Sequence, residues 1–125
     1  MKTRESEEMY LETILLLKNR NPFVRSIDIA QELNYSRPSV SRAVNLLQKK
    51  EYILINKSGE ISFTDAGLKK ATDIYDRHRV ITKLLMEVGA DAELAEDNAC
   101  RIEHVISPEL FEILKQYAQK SDTLA

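Results

Sequence analysis

Apolar side chains fall at helical spacing over most of this chain and alternate in one short stretch near its middle. From about Glu5 to Arg20, Tyr10, Ile14 and Leu17 mark one helical face, with Leu11 and Leu15 beside it, and Asn21-Pro22 ends the helix. Ser26 stands where it can cap a short second helix, Ile27 to Leu33, whose inward positions are Ile27, Ala30 and Leu33. After the turn Asn34-Tyr35-Ser36, Ser36 caps a third helix, with Pro38 in its first turn and Val40, Val44 and Leu47 as its stripe beside Ala43. Two short helices joined by three residues predict a helix-turn-helix. The alternating stretch follows: Tyr52 to Lys57 and Glu60 to Phe63, around Ser58-Gly59, read as a β-hairpin with Ile53 and Ile55 on one strand and Ile61 and Phe63 on the other. A hairpin directly after such a third helix is a wing.

Helical periodicity then resumes. Thr64 caps a long fourth helix to about Val88, ended by Gly89, with Leu68, Ala71, Ile74/Tyr75, His78, Ile81 and Leu85 along its stripe. The stretch Asp91 to Val105 continues the pattern, and Ser107-Pro108 opens a last helix with Leu110, Phe111, Leu114 and Tyr117 on its apolar side. That apolar surface exceeds what one small helical hairpin can cover, which predicts a partner subunit. The fold class expected is mainly α, a winged helix-turn-helix followed by an all-helical part.

Composition narrows the setting. With 125 residues, 43% apolar, the chain suits one compact domain or two small coupled ones. A single cysteine excludes an intrachain disulfide. The charged start, Met1-Lys-Thr-Arg-Glu-Ser-Glu-Glu, has no apolar run behind it to serve as a signal peptide, and no stretch is apolar enough to span a membrane. The expectation is a cytoplasmic protein without a membrane partner. Net charge is −2, yet it is unevenly spread. Between Asn34 and Lys57, Arg37, Arg42, Lys49, Lys50 and Lys57 face only Glu51, whereas from Ile61 onward twelve acidic residues outnumber eight basic ones. A basic patch beside an acidic half fits a DNA-contacting module joined to a cation-binding one.

The face of the third helix opposite its stripe carries Arg37, Ser41, Arg42, Asn45 and Lys49, with Ser36 and Ser39 at its start. Arg and Asn can read base edges, and Ser and Lys more often meet phosphate. Lys57, near the wing tip, is placed to meet a phosphate as well. A solvated helix surface would look the same residue by residue; the wing that follows tips the balance toward double-stranded DNA.

Asn98-Ala-Cys-Arg-Ile-Glu-His104 holds the chain's only cysteine and one of its two histidines. Read as a helix, Cys100, Glu103 and His104 sit at i, i+3 and i+4, a thiolate, a carboxylate and an imidazole on one face. Three such donors form half a shell for a divalent transition metal, and His78, Met9 and Glu12 are the first places to seek the rest. The bland alternatives are a buried cysteine, a core histidine at His78 and core packing at Met9. A metal-independent regulator with an oxidant-sensing Cys100, or a metallohydrolase, would use the same residue types, but no general base stands beside an open ligand position. The reading is not an enzyme.

Glu8-Met-Tyr-Leu-Glu-Thr-Ile14, Phe63-Thr-Asp-Ala-Gly67, Arg77-His78-Arg79 and Asn98 to Ser107 together resemble the diphtheria-toxin-repressor-like metalloregulators, over about Ser6 to Tyr117. The resemblance implies a winged-helix DNA-binding domain, 1–63, and a helical dimerisation and metal-binding domain, 64–125. It also implies a homodimer that represses metal-homeostasis genes by binding a palindromic operator when metal is present. The iron-responsive branch's ligand positions fall on Met9, Cys100, Glu103 and His104; the manganese-responsive branch's additional ones fall on Glu12 and His78. Soft ligands of one branch thus stand with the extra carboxylate of the other. The implied cofactor is Fe²⁺ first and Mn²⁺ second, with Co²⁺, Ni²⁺ or Zn²⁺ able to substitute. Two departures stand out. Thr82 and Glu96 occupy positions where the iron branch's ancillary site has a carboxylate and a histidine. The sequence also ends at Ala125 without the SH3-like domain many iron-branch members carry, so a short form is expected.

Overall fold

The computed structural model describes residues 4–124. Six helices and one two-stranded sheet follow in the order α1 (Arg4–Arg20), α2 (Ser26–Leu33), α3 (Arg37–Lys49), β1 (Ile53–Ile55), β2 (Ile61–Phe63), α4 (Asp65–Glu87), α5 (Ala92–Ile102) and α6 (Pro108–Leu124). They form two compact units, residues 1–72 and 73–125. Among the described residues no helix is long and apolar enough to cross a membrane.

In the first unit the helix-turn-helix forms, and α3 follows its predicted cap and stripe. Ser36 Oγ accepts from the Ser39 amide at 3.3 Å, and Pro38 sits in the first turn, where a missing N–H costs nothing. Val40, Val44 and Leu47 are almost fully buried. They meet Leu11 and Ile14 of α1, Ile29 of α2, and Ile53 and Ile61 of the hairpin in one core. Each of these side chains contributes about 1.5–3 kcal/mol when fully buried. Asn34 ends α2 in the left-handed region (φ 57°), which its short polar side chain tolerates. The hairpin pairs antiparallel, Ile53 with Phe63 and Ile55 with Ile61.

Two local expectations change. Ser26 does not cap α2; the cap position belongs to Arg25, whose amide donates to Asp28 Oδ2 at 2.8 Å. On the same helix Ile29 and Ala30 are buried while Ile27 and Leu33 are only half-buried. Eight residues make barely two turns, too few for spacing alone to choose the buried face.

A buried carboxylate anchors α1 within this unit. Glu7 accepts from Lys50 Nζ at 2.7 Å and from Lys70 Nζ at 3.2 Å, and Lys70 also lies over the Tyr52 ring. Burial alone would raise the Glu7 pKa, but the hydrogen bonds and charges of the two lysines more than offset it, and the net shift is downward. A carboxyl whose pKa is depressed in the folded state stabilises the fold above its unfolded pKa, and that contribution is lost as pH falls through the folded value. Glu7→Gln should therefore lower stability at pH 7 and narrow the gap to wild type as pH drops below about 4.5. Urea unfolding of both proteins from pH 7 to pH 3 checks this, and a pH-independent difference would rule it out.

In the second unit Ile81, Ala99 and Ile106 make a small core with Leu85, Ile102, Phe111 and Leu114 against it. Gly89, at φ 118°, closes α4, and Ala90 N donates back to Leu85 O at 3.0 Å. Of the apolar side of α6, Leu110 and Tyr117 are exposed, as are Ile113 on the same helix and Leu94 and Val105 elsewhere in this unit. The inward side of α6 is Phe111, Leu114 and Ala118.

Candidate metal centre and nucleic-acid interface

The helix over Asp91 to Val105 is shorter than its apolar pattern predicts. Asp91 caps it through the Leu94 amide at 2.8 Å, but α5 ends at Ile102, so Glu103 and His104 lie in the turn beyond. Glu103 keeps right-handed helical angles and its amide still bonds Ala99 O at 2.9 Å, whereas the His104 amide tightens onto Arg101 O at 3.4 Å. Cys100 is exposed and Glu103 fully buried, so the carboxylate faces inward and the thiol lies at the solvent edge.

What gathers the donors is α4. His78 Nδ1 lies 2.8 Å from Glu103 Oε2 and 3.9 Å from Cys100 Sγ. On its other side Glu103 Oε1 is 3.3 Å from His104 Nε2 and receives no hydrogen bond among the described residues. One donor atom each from His78, Cys100 and Glu103 falls within 4.8 Å of the others. Ligands about 2.0–2.3 Å from a common ion are separated by roughly 3–4 Å, so these three need only small rotamer changes to share one. An imidazole, a thiolate and a buried carboxylate with an unsatisfied oxygen fit a divalent transition metal. His78 is thus no isolated core histidine.

Arg77 sets this arrangement and was not singled out from sequence as a site residue in its own right. Its Nη1 donates to the backbone oxygens of Glu103 at 3.3 Å and Ile106 at 3.4 Å, and its guanidinium lies over Phe111. It satisfies carbonyls left open at the end of α5 and fixes the turn that carries Glu103. Met9 and Glu12 belong to α1, in the first unit. Both are half-buried, and the Met9 thioether accepts from the Tyr35 hydroxyl at 3.8 Å. Thr82 Oγ1 is buried without a hydrogen-bond partner among the described residues, which leaves the expectation of an altered ancillary site where the sequence put it.

On α3, Arg37, Ser41, Arg42, Asn45 and Lys49 are exposed, and Lys57 is exposed on the hairpin turn. Ser36 and Ser39 are linked by their hydroxyls at 2.8 Å, and Ser39 Oγ accepts from Arg42 Nη2 at 3.4 Å. The two serines therefore form a chain leading to Arg42 and hold its guanidinium beside the start of α3. Preorganised in this way, a planar donor fork loses less freedom on meeting a base edge or phosphate.

Residues 2–60 match the family model described as the iron dependent repressor N-terminal DNA binding domain, and residues 64–123 match the iron dependent repressor metal binding and dimerisation domain. An uncharacterized HTH-type transcriptional regulator of Methanocaldococcus jannaschii is 32% identical over 93% of this chain and 94% of its own length. The diphtheria toxin repressor of Corynebacterium jeikeium is 33% identical over 91% of this chain, which spans only 50% of that protein. The HTH-type transcriptional regulator MntR of Bacillus pumilus is 32% identical over 84% of this chain and 73% of its own. Among solved structures, the manganese regulator SloR is similar at a TM-score of 0.79 and 28% identity, over 90% of this chain and 53% of that one. With both halves of the sequence matched in order, the chain belongs to the iron-dependent repressor family.

Proposed function

We propose that this chain is a divalent-metal-dependent repressor that acts as a homodimer on palindromic double-stranded DNA upstream of metal-homeostasis genes, in the cytoplasm. In this reading residues 1–63 bind DNA through Ser36, Arg37, Ser39, Ser41, Arg42 and Lys57, and residues 64–125 supply dimerisation and the metal centre. The observation that carries it is the His78–Cys100–Glu103 cluster, in a chain whose other unit presents an exposed basic recognition helix and wing. Exposed Leu94, Val105, Ile113 and Tyr117 supply apolar surface of the kind a second copy would cover.

His78, Cys100, Glu103 and His104 would hold the ion. Glu103, buried as a carboxylate, would be neutralised by such an ion, and metal and operator affinity would then be linked by a coupling of about 1–3 kcal/mol. A thiolate favours the softer ions, so we place Fe²⁺ ahead of Mn²⁺. Relatives speak for both: a diphtheria toxin repressor and a manganese regulator stand at similar distances, and the 30% identical ScaR has been solved with bound Zn²⁺.

The test is an operator titration with and without each metal, anaerobic and reducing, on the wild type and on Arg42→Ala. Binding should require metal. Arg42→Ala should weaken it by roughly tenfold or more, because a good base-reading contact is worth about 1–3 kcal/mol, while metal affinity stays put. Full binding after chelation would instead favour the metal-independent redox regulator, and wild-type affinity in Arg42→Ala would remove the assigned face.

A further inference from the structure

We propose that Arg25 is the positioning residue of the wing, holding the hairpin tip so that Lys57 meets a DNA phosphate. The inference rests on the DNA-binding reading above and adds a residue that reading does not use. Strands of three residues each make a ribbon too small to hold its own direction. Where β2 leaves the turn it is tied by Ile61 N donating to Val24 O at 2.8 Å and by Lys18 Nζ donating to Ile61 O at 2.8 Å, which leaves the tip beyond Ile61 to be placed. At the tip, Asn56 Oδ1 accepts from the amides of Ser58 and Glu60, both at 2.9 Å, which fixes the turn's shape but not where it points.

Direction comes from Arg25. Its Nε donates to Ser58 O at 3.0 Å, and its Nη2 lies 3.6 Å from Glu60 Oε1. Arg25 is itself held at the start of α2, where its amide bonds Asp28. The guanidinium thus spans from the rigid helix-turn-helix to the residue beside Lys57. A guanidinium can serve a carbonyl and a carboxylate along separate edges of one plane; an ammonium cannot reproduce that fork. With its charge engaged by Glu60 and its Nε by a backbone oxygen, Arg25 acts on DNA through Lys57. Half-exposed pairs of this kind add little stability, so the effect belongs to wing position.

The experiment uses metal-loaded full chain and a palindromic duplex selected from random DNA by the wild type, titrated over a salt series. Lys57→Ala should weaken binding roughly three- to tenfold and reduce the log–log salt slope by about 0.9. Arg25→Ala should lose a comparable factor, Arg25→Lys should not restore it, and Arg25→Ala with Lys57→Ala should be no worse than Lys57→Ala alone. Without DNA, amide exchange at Ser58 and Gly59 should quicken in Arg25→Ala. Losses that add would make Arg25 a phosphate contact itself and overturn the proposal, as would wild-type affinity with unchanged exchange. If Arg42→Ala and Lys57→Ala both bind like wild type, the DNA reading fails instead, and the exchange data still report on the clamp.

Discussion

Gly67→Ala should lower the melting temperature by about 10 °C or leave the chain unable to fold. A Cβ built on Gly67 would lie 1.8 Å from the carbonyl oxygen of Tyr52 and 2.7 Å from its carbonyl carbon. These are backbone atoms at the entry to β1, so no side chain can swing aside to make room. The approach is close because Thr64 stitches the two segments together. Its amide donates to Tyr52 O at 3.1 Å, its hydroxyl donates to Glu51 O at 2.7 Å, and the same oxygen accepts from the Gly67 amide at 3.0 Å. Relieving the clash means lifting α4 from the hairpin and losing that cap. Overpacking costs about 1–3 kcal/mol and a lost N-cap about 1 more. Against a total stability of roughly 5–15 kcal/mol, that is a large share. Gly89→Ala is a comparison without a clash: among the described residues nothing lies within 4 Å of its added Cβ, so it carries only the dihedral cost at φ 118°, about 1–3 kcal/mol. Thermal unfolding decides it; Gly67→Ala melting within about 2–3 °C of the wild type, by the scale of a kcal/mol in a domain this size, would show that the close approach is not there.

The same junction shows what could be read from the chain and what could not. Thr64, Ser36, Pro38 and Gly89 act locally, and each terminates or opens its helix where its chemistry says it should. Long stripes such as Val40, Val44 and Leu47 are equally legible, because several turns agree on one face. The misses have tertiary causes. Nothing between Arg101 and Ser107 is a glycine, and the sequence gives no reason to stop α5 at Ile102; Arg77, reaching from α4, takes the carbonyls of Glu103 and Ile106 and stabilises the turn. Asp28 displaces Ser26 as the cap partner of α2 by reaching one residue further back. Arg25 and Arg77 look like any solvated arginine in sequence, since a cation that grips a distant carbonyl carries no local mark. At the candidate metal centre, residue type is legible and geometry is not: the only cysteine stands three residues before a carboxylate and four before a histidine, but the cluster forms around His78, twenty-two residues upstream of Cys100.

That meeting leads to the second large effect. Glu103→Gln should abolish metal-activated operator binding with every divalent ion, and the loss in metal affinity should exceed about 100-fold, the upper range for disturbing a ligand's outer-shell partner. Glu103 is fully buried, with one oxygen 2.8 Å from His78 Nδ1 and the other 3.3 Å from His104 Nε2, so this one carboxylate touches both imidazoles. The amide keeps the shape and discards the charge. Cys100→Glu asks a different question at the exposed edge of the same cluster. Replacing thiolate by carboxylate exchanges a soft donor for a hard one, which favours Mn²⁺ relative to Fe²⁺ or Co²⁺. The variant should therefore keep metal-dependent binding but move its order of response toward Mn²⁺, while Cys100→Ala should weaken the response to all of them. Free-metal titrations, read first by competition with a chromophoric chelator and then by operator affinity, separate binding from activation. If Glu103→Gln binds metal like the wild type, the ions enter elsewhere and the cluster is structural. If Glu103→Gln fails but Cys100→Ala matches wild type, the centre stands without its thiolate, and the preference for iron goes with it.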